Sequence, residues 1–286
     1  MAHKYDYQPY LGDAEVRGQN MAVVYLDSSE DQRLAPYRDL SSRPARSDDR
    51  RFIVEGRFLV ERLLASTLTT ESILTDAARA PKLPREVDER TTVLVLPSGT
   101  IDQLVGFRFH RGVLACGLRC SLPAIDEFVP VVQTSTLLVV CSQVGDPANL
   151  GGILRNCAAF GATAVLLGPG CADPFSRRAL RVSMGAVFKL AIATSQSFAA
   201  DLRRLTDLHN VTLVATVLDE DAEPLSQVER MERIGLVIGN EGFGLSDETV
   251  SLCQRKVTIP LQSGVDSLNT AVASGIVLYH FSQHST

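Results

Sequence analysis

The chain has 286 residues, enough for two domains, and its 45% hydrophobic content is ordinary for a globular protein. The first twenty residues are polar and no apolar run reaches membrane-spanning length, so we expect a soluble, cytoplasmic protein. The net charge of −5 argues against a basic surface over the whole molecule, since residues 1–120 carry 17 Lys and Arg against 17 Asp and Glu and residues 121–286 carry 11 against 16.

The N-terminal part of the chain predicts a small α/β domain behind a charged extension. Residues 1–50 are polar, and we expect an extension whose first twenty residues are mobile and whose residues 31–39 form a helical arm. Apolar patterning then predicts strands and helices that would build a domain over residues 51–122, followed by a linker over residues 123–133. The predicted strands cover 52–56, 72–75, 91–96 and 112–116, and the predicted helices cover 57–66 and 98–105.

The remaining residues, 134–286, alternate strand and helix patterns, which is typical of a parallel sheet covered on both faces. The predicted strands cover 136–141, 163–167, 187–193, 211–217, 234–238 and 256–260. The predicted helices cover 149–160, 196–208, 246–253 and 267–283, with a helical or irregular stretch over 174–184. The first strand is not followed by a G-x-G-x-x-G turn or by a ribose-binding acid, which argues against a nucleotide-binding oxidoreductase.

Three strand ends in this half carry amides, glycines and charged groups. The first of these motifs lies in residues 146–161, the second in 236–246 and the third in 257–276. Each pattern alone is weak, because any α/β protein contains strands, glycine turns and helices. The three together, in this order, are specific. Their distinctive residues are Asn149, Gly151, Arg155, Gly161, Gly239, Glu241, Gly242, Gly244, Ser267, Leu268, Asn269 and Ala271.

At these residues the sequence resembles the SpoU/TrmH family of S-adenosylmethionine-dependent RNA 2′-O-ribose methyltransferases, which belongs to the trefoil-knot superfamily. The resemblance covers about residue 134 to the C-terminus, and residues 181–188 add to it. It implies a knotted domain in which the last helix passes through a loop of the chain, a feature that sequence physics alone would not suggest because knots are so rare. Residues 52–64 also resemble the N-terminal substrate-binding domain that many members carry.

The resemblance implies S-adenosylmethionine as the cofactor and assigns two sets of site residues. The cofactor-binding set is Gly239, Asn240, Ile259, Leu261 and Leu268. The catalytic set is Asn149, Arg155, Glu241, Ser267 and Asn269. The glycines are expected to let the backbone approach the adenosine, although a purely turn-forming role stays open for them.

Arg155 is the residue that the family assigns to the reacting hydroxyl. Arginine stays protonated in proteins, so we expect it to stabilise the developing alkoxide and to bind an adjacent phosphate, while a phosphate oxygen or water takes the proton. Asn149, as a possible cap of its helix, would orient Arg155 or the ribose, and Glu241 would anchor that pair. Ser267 and Asn269 would position the substrate and cap the last helix, with an N-cap role alone left open for Ser267.

Two groups of arginines are candidate RNA contacts. The N-terminal group is Arg50, Arg51 and Arg57, with Arg43, Arg46 and Arg62 nearby. Neighbouring acids make an ordinary solvated face an equal alternative for this group. The second group is Arg177, Arg178 and Arg181, and RNA contact is favoured there because Asp201 is the only acid between Phe175 and Thr206.

No metal site is predicted. The six cysteines lack C-x-x-C spacing, and the i, i+4 pair His280 and His284 has no third ligand nearby in the sequence. The retained catalytic set favours an active enzyme that acts on structured RNA. The resemblance implies that it works as a homodimer, and ribosomal RNA is favoured by analogy with the N-terminal domain. A transfer-RNA 2′-O-methyltransferase and a catalytically silent RNA-binding protein of the same fold are the alternatives.

Overall fold

A computed structural model of the chain describes residues 22–41, 50–80, 83, 90–110, 112–119, 122, 127, 129, 135–262 and 266–282. The expected mobile segment over residues 1–20, most of the predicted linker, Arg43, Arg46 and His284 lie outside these residues. The described residues form two β-sheets with helices packed against them. The predicted α/β class with a mostly parallel sheet is confirmed.

The first sheet is mixed and lies in the N-terminal part of the chain. Its strands are β1 (Val23–Tyr25), β2 (Arg51–Glu55), β3 (Thr70–Asp76), β4 (Thr92–Leu96) and β5 (Val113–Leu118), in the spatial order β1-β4-β3-β5-β2. The helices of this part are α1 (Arg57–Leu64) and α2 (Thr100–Val105), with a 3-10 helix over Gln32–Tyr37. Strand β5 runs antiparallel to β2 and β3, and the other pairs are parallel. The predicted elements of residues 52–116 therefore all form.

One boundary needs correction, because part of the expected extension belongs to this sheet. Val23–Tyr25 pairs with β4, and Leu34 and Tyr37 are fully buried in the core under the sheet. The Tyr37 hydroxyl donates to the Ser72 carbonyl oxygen at 2.9 Å, and burial raises its pKa well above the ordinary value. Charge in residues 27–39 masked this contribution to the core.

The second sheet is parallel throughout its described strands and lies in the C-terminal part. Its strands are β6 (Thr136–Cys141), β7 (Ala164–Leu167), β8 (Ile192–Thr194), β9 (Thr212–Thr216), β10 (Glu223–Pro224), β11 (Arg233–Ile238) and β12 (Arg255–Thr258). Their spatial order is β10-β12-β9-β11-β6-β7-β8. The helices are α3 (Pro147–Ala159), α4 (Arg177–Val182), α5 (Phe198–Asp207), α6 (Asp247–Ser251) and α7 (Thr270–Ser282).

The prediction of one strand over residues 187–193 is wrong. Met184 and Gly185 both have positive φ, 53° and 74°, and the turn they make leads into a 3-10 helix over Ala186–Phe188. Only Ile192–Thr194 pairs with the sheet. Phe188 is buried, and its ring lies 6.0 Å from that of Phe52 on β2, in the N-terminal sheet. Its burial therefore does not mark a strand of the C-terminal sheet.

The two sheets share one continuous apolar core. Phe52 of β2 lies 4.9 Å from the ring of Phe175, which precedes α4. Beside them Arg119 donates two hydrogen bonds to Asp173, at 2.9 and 2.7 Å, and both side chains are largely buried. A paired, hydrogen-bonded charge of this kind fixes orientation more than it adds stability. The N-terminal sheet is thereby held against the segment 173–188.

Helix α3 is packed closely between α4 and α7. A Cβ added to Gly151 would lie 2.8 Å from the Ala179 carbonyl oxygen, and one added to Gly152 would lie 2.6 Å from the Ala271 Cβ. On the same side of α3, Asn156 donates to the Ala271 carbonyl oxygen at 2.7 Å. The two glycines therefore set the distance of α3 from its neighbours.

No helix in the described part of the chain has both the length and the apolar character needed to cross a bilayer.

We expect Gly152→Ala to lower the free energy of unfolding by about 1–3 kcal/mol, because the added methyl overpacks the contact with Ala271. Urea unfolding followed by circular dichroism measures this change. Gly145→Ala is the matched control, since its added methyl would meet its nearest atom at 3.7 Å. An equal effect of the two substitutions would contradict the close packing of α3 on α7.

Candidate active site

The three sequence motifs follow strands that end at the same edge of the parallel sheet. Strands β12, β9, β11 and β6 are successive neighbours, so their carboxyl ends lie side by side. The turns after β6 and β11 and the segment between β12 and α7 carry the motifs. In open parallel sheets, ligands bind at this edge, in the crevice outside the carboxyl ends of the strands. The topology therefore places the candidate residues where a ligand site is expected.

The turn after β6 leads into α3, which begins one residue after Asp146. The Asp146 carboxylate accepts hydrogen bonds from the backbone N–H groups of Ala148 and Asn149, and Pro147 occupies the first helical position. The possible assignment of Asn149 as the cap is therefore wrong. Asn149 lies in the first turn of the helix, which leaves its side-chain amide available for contacts across the site.

A chain of hydrogen bonds joins the three motifs. The Asn149 amide nitrogen donates to Glu241 Oε1 at 3.0 Å, and the Asn269 amide nitrogen donates to Asn149 Oδ1 at 2.7 Å. Residues from after β6, after β11 and before α7 are thus in direct contact. Each such bond contributes roughly 0.5–1.5 kcal/mol, so their main effect at this exposed edge is to fix geometry.

Asn269 also begins the last helix. Its Oδ1 accepts hydrogen bonds from the N–H groups of Ala271 and Val272, at 3.0 and 3.3 Å. The helix begins at Thr270, three residues later than predicted, so Asn269 occupies the capping position. Ser267 is exposed and lies before this cap, so the predicted capping of α7 by Ser267 is wrong. Its proposed contact with substrate stays a prediction.

Asn240 holds the turn after β11 in shape. Its amide nitrogen donates to the Gln143 carbonyl oxygen at 2.8 Å, which ties this turn to the one after β6. Its Oδ1 accepts from the N–H groups of Gly242 and Phe243, and its backbone exchanges hydrogen bonds with Gly244. Its own hydrogen bonds therefore fix the conformation of this turn before any ligand binds.

Two of the motif glycines are required by this turn. A Cβ on Gly239 would lie 2.4 Å from the backbone of Gly244, and Gly244 has a φ of +70°. A side chain is thus excluded at Gly239 by the protein's own backbone, and glycine is favoured at Gly244 by its left-handed conformation. Both glycines are therefore required by the turn itself, and the contact of Gly239 with the cofactor stays a prediction.

The residues predicted to bind the cofactor surround the carboxyl ends of β11 and β12. Gly239 is buried and Asn240 half-buried after β11, whereas Ile259, Leu261 and Leu268 are half-buried in the segment after β12. Ile259 packs against the main apolar core. Half-buried apolar side chains next to backbone polar groups suit a flat, partly apolar ligand.

Sequence reasoning missed the turn after β9. This strand lies between β11 and β12, so Leu218 and Asp219 adjoin the segments assigned to the cofactor. Leu218 is exposed, and Asp219 contacts Lys256 at 2.6 Å, a hydrogen bond that lowers the pKa of Asp219. The signal in the sequence was Leu218, an apolar residue at the end of a buried strand. Only the strand order shows that the turn after β9 adjoins the turns after β11 and β12.

The arginines predicted to contact RNA have different surroundings. Arg181 on α4 and Arg50 are exposed, and Arg178 lies 4.0 Å from Asp146. Arg155 of the catalytic set is also exposed, on α3.

The other three arginines of the RNA prediction have close protein partners. Arg177 contacts the Leu40 carbonyl oxygen at 2.7 Å and Glu55 at 3.1 Å, which places it between the two sheets. Arg51 pairs with Glu71 and Arg57 with Glu61 at the surface.

The residues that the structure describes contain no group of His, Cys, Asp or Glu side chains placed to hold a metal ion. The five cysteines in that part of the chain are free thiols, and burial raises the pKa of Cys141, Cys157, Cys171 and Cys253, the last to about 12. These four thiols are therefore protonated at neutral pH.

Comparison with known proteins identifies related chains. A family model described as the SpoU rRNA methylase family matches residues 136–279. An uncharacterized tRNA/rRNA methyltransferase of Mycobacterium bovis is 33% identical, with 87% of this chain and 88% of that protein aligned. The 23S rRNA (guanosine(2553)-2′-O)-methyltransferase RlmP of Bacillus subtilis is 26% identical over 89% of this chain and 98% of its own length.

Solved structures show the same relationship. The crystal structure of an AdoMet-bound rRNA methyltransferase from Sinorhizobium meliloti has a TM-score of 0.79 and 25% sequence identity. The comparison covers 92% of this chain and 99% of the other. The similarity therefore extends over both sheets.

We expect Asn269→Ala to lower the free energy of unfolding by about 1 kcal/mol, because it removes the acceptor that caps α7. Asn269→Ser is the matched control, since a serine oxygen caps a helix about as well as that of asparagine. Urea unfolding measures both variants. An alanine variant as stable as the wild type would contradict the capping role.

Proposed function

Because the chain belongs to the SpoU rRNA methylase family, we propose that it transfers a methyl group from S-adenosylmethionine to a ribose 2′-hydroxyl of structured RNA. The observation that carries this proposal is the hydrogen-bonded chain Glu241–Asn149–Asn269, which brings the three motif turns into contact. A ribosomal RNA substrate is favoured, because RlmP acts on 23S rRNA and is similar over almost its whole length. Transfer RNA is the second candidate, since the Mycobacterium bovis relative is named for either substrate.

The residues at the sheet edge fit the cofactor. S-adenosylmethionine supplies, when bound, an electrophilic methyl group on a sulfonium sulfur. We assign its binding to Gly239, Asn240, Ile259, Leu261 and Leu268, of which the last three offer half-buried apolar side chains at one edge. The closed turn at Asn240 keeps the backbone of this segment in place before binding, which reduces the entropic cost of binding.

Arg155 is assigned to the reacting hydroxyl. It is exposed on α3, two turns beyond the Asp146 cap, where it is accessible to an RNA strand. Its guanidinium would stabilise the alkoxide as the 2′-oxygen loses its proton, and would bind a neighbouring phosphate with its planar fork. A phosphate oxygen or water accepts the proton, because arginine stays charged.

The other assigned polar residues position the site. Glu241 accepts from Asn149, which restricts that amide on the first turn of the helix that carries Arg155. Asn269 links the same amide to the start of α7, and Ser267 lies beside it at the surface. These four residues, Asn149, Glu241, Ser267 and Asn269, would act by orienting the ribose or Arg155.

RNA binding would use the exposed arginines. Arg178 and Arg181 are exposed on α4, which packs against α3. They are the residues proposed to contact RNA on this side of the molecule. Arg50, Arg51 and Arg57 would extend the contact along the N-terminal domain. Arg177 would act indirectly, since its contacts with Leu40 and Glu55 hold the two sheets together.

The family also supports a domain division, a knot and a cytoplasmic location as proposals. We retain a small domain, extended towards the N-terminus to include β1, a linker over 123–133 and a knotted methyltransferase domain over 134–286. The packing of α7 on α3 supports the knot, because it brings the last helix against the first helix of this domain.

A homodimer is proposed from an apolar stripe on α7. Val272, Ile276 and Tyr279 lie at i, i+4 and i+7, on one face, and are 52%, 40% and 54% exposed. Contiguous exposed apolar side chains of this kind mark interaction surfaces. A second copy of the chain packed on this stripe would lie close to the RNA site and could complete it.

The proposed reaction is tested by incubating the protein with total bacterial RNA and S-adenosylmethionine labelled on its methyl group. A 2′-O-methyl group blocks alkaline cleavage at its own nucleotide, because the 2′-hydroxyl is the internal nucleophile of that cleavage. We expect label in alkali-resistant dinucleotides. Label on a base would refute the ribose assignment, and bound RNA without label would favour the silent binder.

In the same assay we expect Arg155→Ala to lower kcat by roughly 100- to 1000-fold, the usual effect of removing one group that stabilises a developing oxyanion. Arg155→Lys is expected to remain well below the wild type, because one ammonium cannot replace the planar fork. Arg203→Ala, an exposed arginine on α5, is the control and should retain activity. Nearly full activity of the lysine variant would count against the assigned role.

For the homodimer, we expect Ile276→Asp to shift the protein from dimer to monomer in sedimentation velocity experiments, because it places a charge in the apolar stripe. Leu208→Asp is the matched control, since Leu208 is 64% exposed at the end of α5, outside the stripe. A dimer that is equally stable in both variants would show that α7 does not form the interface.

A further inference from the structure

Phe243 is an aromatic residue exposed at the edge of the site. Its side chain is 73% exposed, and it follows Glu241 by two residues in the turn after β11. Leaving an aromatic ring in water costs free energy that burial or stacking would recover. The family motifs and the proposed methyl transfer make no use of this ring.

The backbone that carries Phe243 is held in place. Its N–H donates to Asn240 Oδ1 at 3.4 Å, and Asn240 and Gly244 exchange backbone hydrogen bonds of 2.9 and 3.1 Å on either side of it. The Asn240 amide in turn donates to the Gln143 carbonyl oxygen after β6. The backbone that displays the ring is thus held in place two residues after Glu241, which contacts Asn149.

The surroundings of Phe243 differ from those of an apolar protein interface. Its chain neighbours Gly242 and Gly244 have no side chains, and the nearby Glu241, Asp247 and Glu248 are exposed acids. Apolar interfaces need contiguous patches, as on the stripe of α7. The acids also disfavour contact with the phosphate backbone of a nucleic acid at this place. The uncharged face of a base is therefore the group that fits the Phe243 ring.

We propose that Phe243 stacks on an unpaired base of the RNA substrate next to the nucleotide whose ribose is methylated. The inference rests on the proposed function and adds a substrate class to it. That class is RNA with an unpaired base next to the methylated nucleotide, as in a loop, a bulge or a strand end. Single-stranded RNA bases are commonly recognised by stacking on aromatic side chains. The contact would position the target ribose near Arg155, without a role in the chemical step itself.

The absence of tryptophan from the sequence allows a direct test. Phe243→Trp places a single indole at the proposed stacking position, and protein-free bacterial ribosomal RNA is titrated into the variant while its fluorescence is measured. Leu208→Trp is the matched control, since Leu208 is similarly exposed at the end of α5. We expect strong quenching of the indole at position 243 and little change at position 208.

The fluorescence outcomes separate a base from a second copy of the chain. Emission at position 243 that changes with protein concentration but not with RNA would assign the residue to self-association and overturn the proposal. Emission unchanged by RNA at concentrations that support methyl transfer would overturn it as well.

Kinetics supply the second readout. We expect Phe243→Ala to raise KM for RNA about tenfold, within the range for loss of one stacked base, with a smaller change in kcat. Phe243→Tyr should restore the wild-type KM, and calorimetric binding of S-adenosylmethionine should be equal in all variants. An alanine variant with the wild-type KM would overturn the inference while the methylation of RNA by the wild type still stands. No methylation by the wild type would instead refute the proposed function.

Discussion

The site depends on one constraint, the hydrogen bonds by which Asn149 joins Glu241 and Asn269. These residues are far apart in sequence, and each of the three turns satisfies its own backbone locally, through Asp146, Asn240 and Asn269. The amide of Asn149 is suited to the central position because it offers a donor to the carboxylate and an acceptor to Asn269 at once. A leucine of similar size would keep the helix and remove both of these hydrogen bonds.

Helix α3 transmits this constraint to the rest of the domain. Gly151 brings it against α4, which carries exposed arginines, and Gly152 brings it against α7, which carries the apolar stripe. The same helix holds Arg155 and Asn149. The proposed RNA contact and the proposed dimer surface are therefore arranged around one short helix, and two glycines set its distance from its neighbours.

Much of this was predictable from the sequence, and what was missed has physical reasons. Local patterns predicted most elements and the three motifs, because apolar periodicity and glycine turns are local properties. Strand order is not local, so the turn after β9 and the close packing at Gly239 were not foreseen. Residues 187–193 have strand composition, but the turn at Met184 and Gly185 and the contact of Phe188 with Phe52 precede a strand that starts only at Ile192. The cap of α3 was misassigned because Asp146 and Asn149 are both good capping residues.

The apolar core shared by the two sheets has a consequence for how such proteins can change. Phe52, Phe175 and Phe188 pack across the junction, and the Arg119–Asp173 pair closes it. A recombination event that exchanged only the N-terminal part would leave a buried aspartate without its arginine and a hole where Phe52 had been. This part would therefore change by substitutions on its outer surface, or by exchange together with residues 173–188.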